Sequence, residues 1–387
     1  MLRSFLPVGQ GAFYLEQFNE KKGKRINVVY DCGSSTSKEL VESEVKSNLS
    51  KGEDILFVFI SHLDVDHING LEFLLKYCNV KNLILPLTDR QERYLLSLKY
   101  LCDSDENYLD DFLFQFIRNP YETVFGISDN TRIFAIRDYE NYEQEEAYYE
   151  VQRNADHVMI VHSGTNILNS VYVKEDILSE YWEYIPFNFK FKERSLQFRE
   201  ALTNNLPKDV TIENIIDLWG YKSIQNAIKK AYNEIDGNLN VNSMTLFSGV
   251  RNSTIYQTFV LPFNLFKCRL KYHHCFKQCA FEILKPNGCL YTGDFDAYSH
   301  WDKMYEAYKH YWEYIGCIQI PHHGSRYSYN HQFTLLNSFF VISAGKNNRY
   351  RHPSGSVVKD LIFTKNYPFI VNEDRDREVI MEVNLLF

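Results

Sequence analysis

The sequence predicts a layered α/β fold, and three observations carry that prediction. Short apolar runs rich in β-branched and aromatic residues recur along the chain, separated by segments whose leucines fall at helical spacing. Several of these runs end in the same way, delivering His, Asp or Gly directly after the apolar stretch. With 28 Tyr, 28 Phe and only 24% charged residues, the chain can fill a packed core. Strands alternating with helices point to stacked layers, and sites in such folds gather at strand ends along one edge.

In order, residues 2–17 and 25–31 read as strands around a charged turn, with Gly9 and Gly11 permitting tight backbone beside the first. The strand Asn27–Tyr30 ends in Asp31-Cys32-Gly33-Ser34, and residues 36–49 have helical spacing. The run Ile55-Leu56-Phe57-Val58-Phe59-Ile60 is a buried strand, followed at once by Ser61-His62-Leu63-Asp64-Val65-Asp66-His67. Ile68, Leu71, Leu74 and Leu75 predict a helix over 67–77, and Val80–Leu85 another strand.

Residues 88–238 form a mostly helical block that reads as an insertion or cap between two halves, 1–87 and 239–387. Within it the acidic run 139–146 reads as a solvated helix face, and the aromatic segment 181–187 as core. Strand patterning resumes at 242–247. Phe281–Leu284 and Cys289–Thr292 flank Pro286-Asn287-Gly288 as a hairpin would, and lead to Gly293-Asp294-Phe295-Asp296. A helix over about 302–313 precedes the strand Cys317–Ile320, which ends in Pro321-His322-His323-Gly324-Ser325. The strand Phe339–Ser343 ends in Ala344-Gly345-Lys346-Asn347-Asn348-Arg349-Tyr350-Arg351-His352-Pro353.

A net charge of −8 argues against a protein that coats nucleic acid by bulk electrostatics, though not against a local basic groove. The eight cysteines are scattered, the first residues lack the apolar core of a signal peptide, and no apolar run approaches the roughly 18–20 residues that cross a bilayer. The expectation is a reduced, cytoplasmic protein with no membrane association. Cys268, His273, His274, Cys275 and Cys279 lack standard zinc-finger spacing, so buried cysteines are the simpler reading.

Two histidines and two aspartates within the six residues 62–67, just after a strand end, are the side chains that hold borderline divalent metals. Taken in order, HLDVDH, TGD, PHHGS and GKNNRYRHP resemble the motifs of the metallo-β-lactamase fold, nearest to the β-lactamase-like domain of the competence protein ComEC and its soluble relatives. Phe5–Gly11 and Tyr30–Gly33 are similar to that family's first hairpin, so the resemblance covers residues 1–86 and 240–387. It implies a four-layered αββα sandwich carrying the helical block as an insertion.

The resemblance also implies two divalent metal ions, Zn or Mn. His62 and Asp64 would serve one, Asp66 and His67 the other, and Asp294 would bridge them. One of His322 and His323 would complete the shell of the ion at Asp66 and His67 while the other orients it. Asp31 would brace the metal loop from a buried position, and Asp296 would serve as a hydrogen-bonding residue. Two departures stand out: Asp64 takes the place where many members of the fold have His, and Asn242-Ser243 precede Asp294 in place of a further His ligand. An oxygen-rich shell moves preference from Zn²⁺ towards Mn²⁺ and leaves the ion at His62 and Asp64 loosely held or completed by water.

Two ions sharing a carboxylate supply hydroxide at neutral pH and stabilise charge on a phosphoryl or carbonyl oxygen. The implied enzyme is a hydrolase, with Asp66 and His352 as its catalytic side chains. Residues 314–359 contain five cations and no carboxylate. That edge suits nucleic acid or another phosphodiester, with Ser325, Lys346, Asn347, Arg349 and Arg351 as the donors. The alternatives are a small-molecule thioester, lactone or amide hydrolase, or a partner-regulated defence-system subunit whose insertion is the surface for a protein partner.

Overall fold

The computed structural model describes residues 1–19, 25–103, 111–139, 158–169, 176–234, 243–250, 258–262, 282–283, 285–366 and 368–383. The strands are β1 (Leu2–Phe5), β2 (Gly11–Asn19), β3 (Arg25–Ser34), β4 (Asp54–Phe59), β5 (Asn79–Pro86), β6 (Arg132–Ile136), β7 (Val158–Val161), β8 (Trp182–Phe189), β9 (Ser243–Val250), β10 (Thr258–Pro262), β11 (Glu282–Ile283), β12 (Gly288–Tyr291), β13 (Ile315–Gln319), β14 (Phe339–Ser343), β15 (Phe369–Val371) and β16 (Val379–Val383). The helices are α1 (Lys38–Asn48), α2 (Val65–Ile68), α3 (Leu71–Tyr77), α4 (Arg90–Asp103), α5 (Phe112–Arg118), α6 (Pro120–Phe125), α7 (Asp176–Tyr181), α8 (Lys192–Asn205), α9 (Lys222–Asn233), α10 (Ala297–Ala307) and α11 (Gly355–Phe363).

Alternation of side chains along the central strands dictates the layering. Phe57 and Phe59 of β4 face inward to meet Tyr184, Met244, Cys289 and Tyr291 of the opposite sheet. Val58 and the following Ile60 face outward to Leu71, Leu74 and Leu98 of the covering helices. On the far side, Leu290 of β12 and Ile318 of β13 pack against Trp301 and Met304 of α10 and Leu361 of α11. Two sheets therefore lie face to face with helices outside both, which is the αββα sandwich expected. One sheet runs β11-β10-β16-β1-β2-β3-β4-β5-β6-β7, the other β15-β14-β13-β12-β9-β8.

A buried polar knot fastens the sheets. Arg3 of β1 donates from Nε to Glu16 Oε1 at 2.8 Å, and from its two Nη atoms to the carbonyls of Asn287 and Ser248. Glu16 also accepts from the hydroxyls of Tyr184, Tyr291 and Ser248 at 2.7–2.8 Å. Each of these groups is satisfied, which is what makes a charge at this depth tolerable.

β3, β4 and β5 run parallel, as do β12, β13 and β14, so their C-terminal ends share one edge of the sandwich. Three expectations change in detail. The helix over 67–77 is two, α2 and α3, broken at Asn69-Gly70. The helix expected at 302–313 begins at Ala297, because Asp296 caps it by accepting from the Ser299 backbone N–H. The expected hairpin is absent: β11 pairs with β10 in the first sheet, while β12 pairs with β9 and β13 in the second. Pro286-Asn287-Gly288 is thus a crossing between sheets.

Among its described residues the middle block is mainly helical, yet β6 and β7 extend the first sheet and β8 flanks β9 in the second. Trp182 and Tyr184 are core residues, as expected of that aromatic segment. The acidic run beyond Tyr139 and the group from Cys268 to Cys279 lie outside the described residues. Among the described residues no helix is long and apolar enough to cross a membrane.

Candidate metal centre

The loop after β4 is anchored before it reaches the site. Asp31, at the end of the adjacent β3 and with φ +55°, accepts from the Ser61 backbone N–H and from its hydroxyl, both at 2.7 Å. Gly33 lies against the turn that follows, where a Cβ would sit 2.6 Å from backbone atoms of Asp66 and His67. The first half of the motif is thereby pressed onto β3.

Hydrogen bonds then decide which nitrogen of each histidine faces inward. His67 Nδ1 lies 2.7 Å from Asp31 Oδ2, a pure acceptor, so Nδ1 carries the proton and the Nε2 lone pair turns to the site. The Ser61 hydroxyl donates to the same carboxylate, so it accepts from His62 Nδ1 at 2.9 Å and leaves His62 Nε2 likewise facing inward. His323 Nδ1 donates to the Ser343 carbonyl at 2.8 Å and presents Nε2 to Asp66 Oδ2 at 3.2 Å.

Asp294 stands at the centre. Its backbone N–H donates to Ser243 Oγ, and the preceding Gly293 (φ +53°) leaves no room for a Cβ, which would meet that hydroxyl at 2.3 Å. Oδ1 faces His67 Nε2 at 3.3 Å and His323 Nε2 at 3.8 Å. Oδ2 faces His322 Nε2 at 3.5 Å and His62 Nε2 at 3.8 Å. The two oxygens therefore address different sets of ligating atoms, as a bridging carboxylate would. Two groups have ligating atoms close enough to share an ion: His62, His67 and Asp294, and Asp66, His67 and His323. His62 Nε2, His67 Nε2 and Asp294 Oδ1 are buried and make no hydrogen bond with any described residue. Buried polar atoms left unpaired are costly, and a cation placed among them would remove that cost.

Charge coupling within the site is strong. Burial opposes charging of His67, but Asp31, Asp294 and Asp66 outweigh it and hold its pKa well above the usual histidine value. His323 is raised against burial by Asp294 and Asp66. Burial and His67 together depress His62. Asp66 and Asp294 are held far below the carboxylate range, against burial, by the surrounding histidines. These are the charge patterns of a site built to hold positive charge.

The remaining expected residues lie around this centre. His322, at 24% side-chain exposure, is turned toward Ser328 through Nδ1 and stands apart from Asp66. His352 is half-buried with its ring 5.7 Å from that of His322, and burial together with His322 lowers its pKa to about 4. Asn348 pins its backbone by accepting from the His352 N–H and donating to its carbonyl. Ser354 N–H donates to the Gly324 carbonyl, so the His323 and His352 loops pack together. Ser325 is buried in its turn, where its hydroxyl accepts from the Tyr327 N–H. Arg349 and Arg351 are exposed, Arg349 lying over the Tyr350 ring. Asn347 is exposed, while Lys346 forms an ion pair with Asp374.

Asp64 stands differently from the other motif residues. Its Oδ2 is 3.8 Å from His62 Nε2, but both its oxygens are held by Lys99 Nζ at 3.0 and 3.1 Å. Lys99 belongs to α4, in the middle block, and no motif in the sequence marks it. Beside it, a groove lined by His62, Leu63, Leu87, Glu92, Leu96 and Lys190 runs between the motif loop, α4 and β8.

Residues 12–122 match the family model described as the metallo-beta-lactamase superfamily. That stretch contains Asp31, the whole motif loop and Lys99. No curated protein matches the chain. Among solved structures, the chain is similar to human tRNase Z, short form, at 9% identity and a TM-score of 0.38, over 96% of this chain and 92% of that one.

Proposed function

We propose that this metallo-β-lactamase-type chain is a metal-dependent phosphodiesterase acting on nucleic acid. One observation carries the reading: His62, His67 and His323 converge on the two oxygens of a single buried carboxylate, Asp294, with Asp66 beside His67 and His323, and His62 Nε2, His67 Nε2 and Asp294 Oδ1 make no hydrogen bond with any described residue. Asp66, His67, His323 and Asp294 Oδ1 would hold one divalent ion. His62, Asp294 Oδ2 and, where it is released, Asp64 would serve a second. Bound there, Zn²⁺ or Mn²⁺ supplies Lewis-acid charge and lowers the pKa of water.

The chain's own residues do the rest. Asp31 and Ser61 hold two imidazoles in the tautomer that offers Nε2. His352, neutral at physiological pH because burial lowers its pKa, sits beside His322, where its ring N–H would donate a hydrogen bond to a leaving or phosphoryl oxygen. Arg349 and Arg351 on the same exposed loop would meet phosphates of the chain on either side of the cut. A phosphodiester is favoured over a neutral ester or lactone because this edge carries cations next to an anionic site. ComEC-like processing of DNA fits this chemistry.

Purified protein with Mn²⁺ or Zn²⁺ should cleave single- or double-stranded oligonucleotides and a small aryl phosphodiester, and an Asp66→Ala/His67→Ala form should not. Equal activity of the two forms, or activity undiminished by chelation, rejects the reading.

A further inference from the structure

We infer that Lys99 controls occupancy of the second metal position by competing with the ion for Asp64. The inference rests on the metal-centre reading above and concerns a residue of the middle block rather than of the motif loop.

The geometry is specific. Lys99 Nζ sits within hydrogen-bond distance of both Asp64 oxygens, and both side chains are 18% exposed, so the pair is largely withdrawn from water. Asp64 Oδ2 is also the oxygen that faces His62 Nε2. An ion held by His62 and Asp294 Oδ2, which His322 Nε2 also faces at 3.5 Å, would take Asp64 as its second carboxylate. The ammonium already uses the lone pairs the ion would take, and its charge repels a second cation at the same carboxylate.

The other ion position has no such competitor: Asp66 is bonded to His323, and no lysine or arginine is paired with it among the described residues. The two positions are therefore inequivalent by construction. The first is a ready set of carboxylates and imidazoles. The second opens when the Lys99 side chain withdraws.

The source of the lysine gives the arrangement its meaning. Leu95, Leu98 and Leu101 of α4 are buried in the same apolar cluster as Leu63, the residue between His62 and Asp64. The helix also lines the groove that reaches His62. Occupancy of the second position is thus tied to the seating of α4.

The test is metal binding, read without any activity. Equilibrium dialysis against buffered Zn²⁺, and in parallel Mn²⁺, with elemental analysis, should show the wild-type protein holding one ion tightly. Its second ion should require at least tenfold higher free metal. Lys99→Met should fill the second position at least tenfold more readily with the first unchanged, and Lys99→Arg should behave as wild type. In Lys99→Met/Asp64→Asn the gain should vanish. If Lys99→Met does not fold, Lys99→Gln keeps a hydrogen bond to Asp64 without the charge and carries the same expectation. Equal filling of both positions in wild type and Lys99→Met overturns the inference while leaving the hydrolase reading intact, as does a gain that survives Asp64→Asn. A wild-type protein that binds no ion removes the metal-centre reading and this inference with it.

Discussion

His67 Nδ1 donates to Asp31 Oδ2 across 2.7 Å, and this one bond fixes which face of the imidazole the site receives. Asp31 is fully buried and accepts twice more from Ser61, which in turn orients His62. A single carboxylate outside the centre therefore sets the tautomers of two histidines inside it. Asp31→Asn keeps the shape but places an amide N–H donor where an acceptor is needed. Metal affinity should fall about 10–100-fold, the usual cost of losing such a supporting contact. Titration calorimetry with Zn²⁺ measures it, and an unchanged affinity would mean that the histidines are oriented by something else.

Protons and metal should compete at the same nitrogens. Burial opposes a charge on His67 and His323, but the neighbouring carboxylates raise both above the ordinary histidine pKa. In the metal-free protein both rings therefore hold an extra proton at pH values where a free histidine has lost it. An ion must displace these protons, so affinity should climb as pH rises from about 6 through neutrality and level off only above the raised values. The carboxylates Asp66 and Asp294 stay ionised throughout that window, since their pKa values are depressed. Calorimetry in buffers of different ionisation enthalpy should detect proton release on binding at pH 7. Binding with no proton release would contradict the charge coupling described here.

Much of this centre is legible in the sequence, for a physical reason. The residues 61–67 follow one apolar strand without interruption, so their proximity is guaranteed by the chain itself. Asp294, His323 and His352 are marked by glycine or proline at the ends of other predicted strands, and parallel β12, β13 and β14 bring those ends to one edge. What local sequence does not encode is long-range packing. His322 and His323 are adjacent and both have positive φ, and long-range partners distinguish them: the Ser343 carbonyl of β14 and Asp66 for His323, Ser328 for His322. Pro286-Asn287-Gly288 has the chemistry of a hairpin turn, yet the flanking strands join different sheets. Lys99 reaches Asp64 only because α4 docks on the cluster containing Leu63, a contact invisible along the chain.

The Arg3–Glu16 knot predicts an asymmetry between single and double replacements. Arg3→Met alone leaves Glu16 buried among hydroxyls with its cation gone, and Glu16→Gln leaves the guanidinium buried with a neutral partner. Breaking such a pair from one side costs about 3–5 kcal/mol, because the surviving charge is stranded. Replacing both with apolar residues of similar volume should recover a substantial part of the loss. Denaturant unfolding monitored by tryptophan fluorescence reads the difference. Additive losses in the double variant would mean that the knot acts as two independent contacts.

The exposed loop before His352 should act on long substrates and leave short ones alone. Lys346 is already neutralised by Asp374, so Lys346→Gln should change little. Arg349 and Arg351 lie on the exposed face of the loop whose Pro353 packs against Gly324, the residue after His323. Replacing both with Gln should raise KM for an oligonucleotide several-fold and reduce the slope of log affinity against log salt by about 0.7 per lost phosphate contact on a single strand. The small aryl phosphodiester spans only the cleavage point, so its kcat/KM should stay within about twofold of wild type, as expected where no phosphate contact is lost. Parallel steady-state assays at two ionic strengths separate these effects. A matching loss on both substrates would place the arginines in the support of the metal centre, since only a defect at the point of cleavage touches a substrate that has no flanking phosphates.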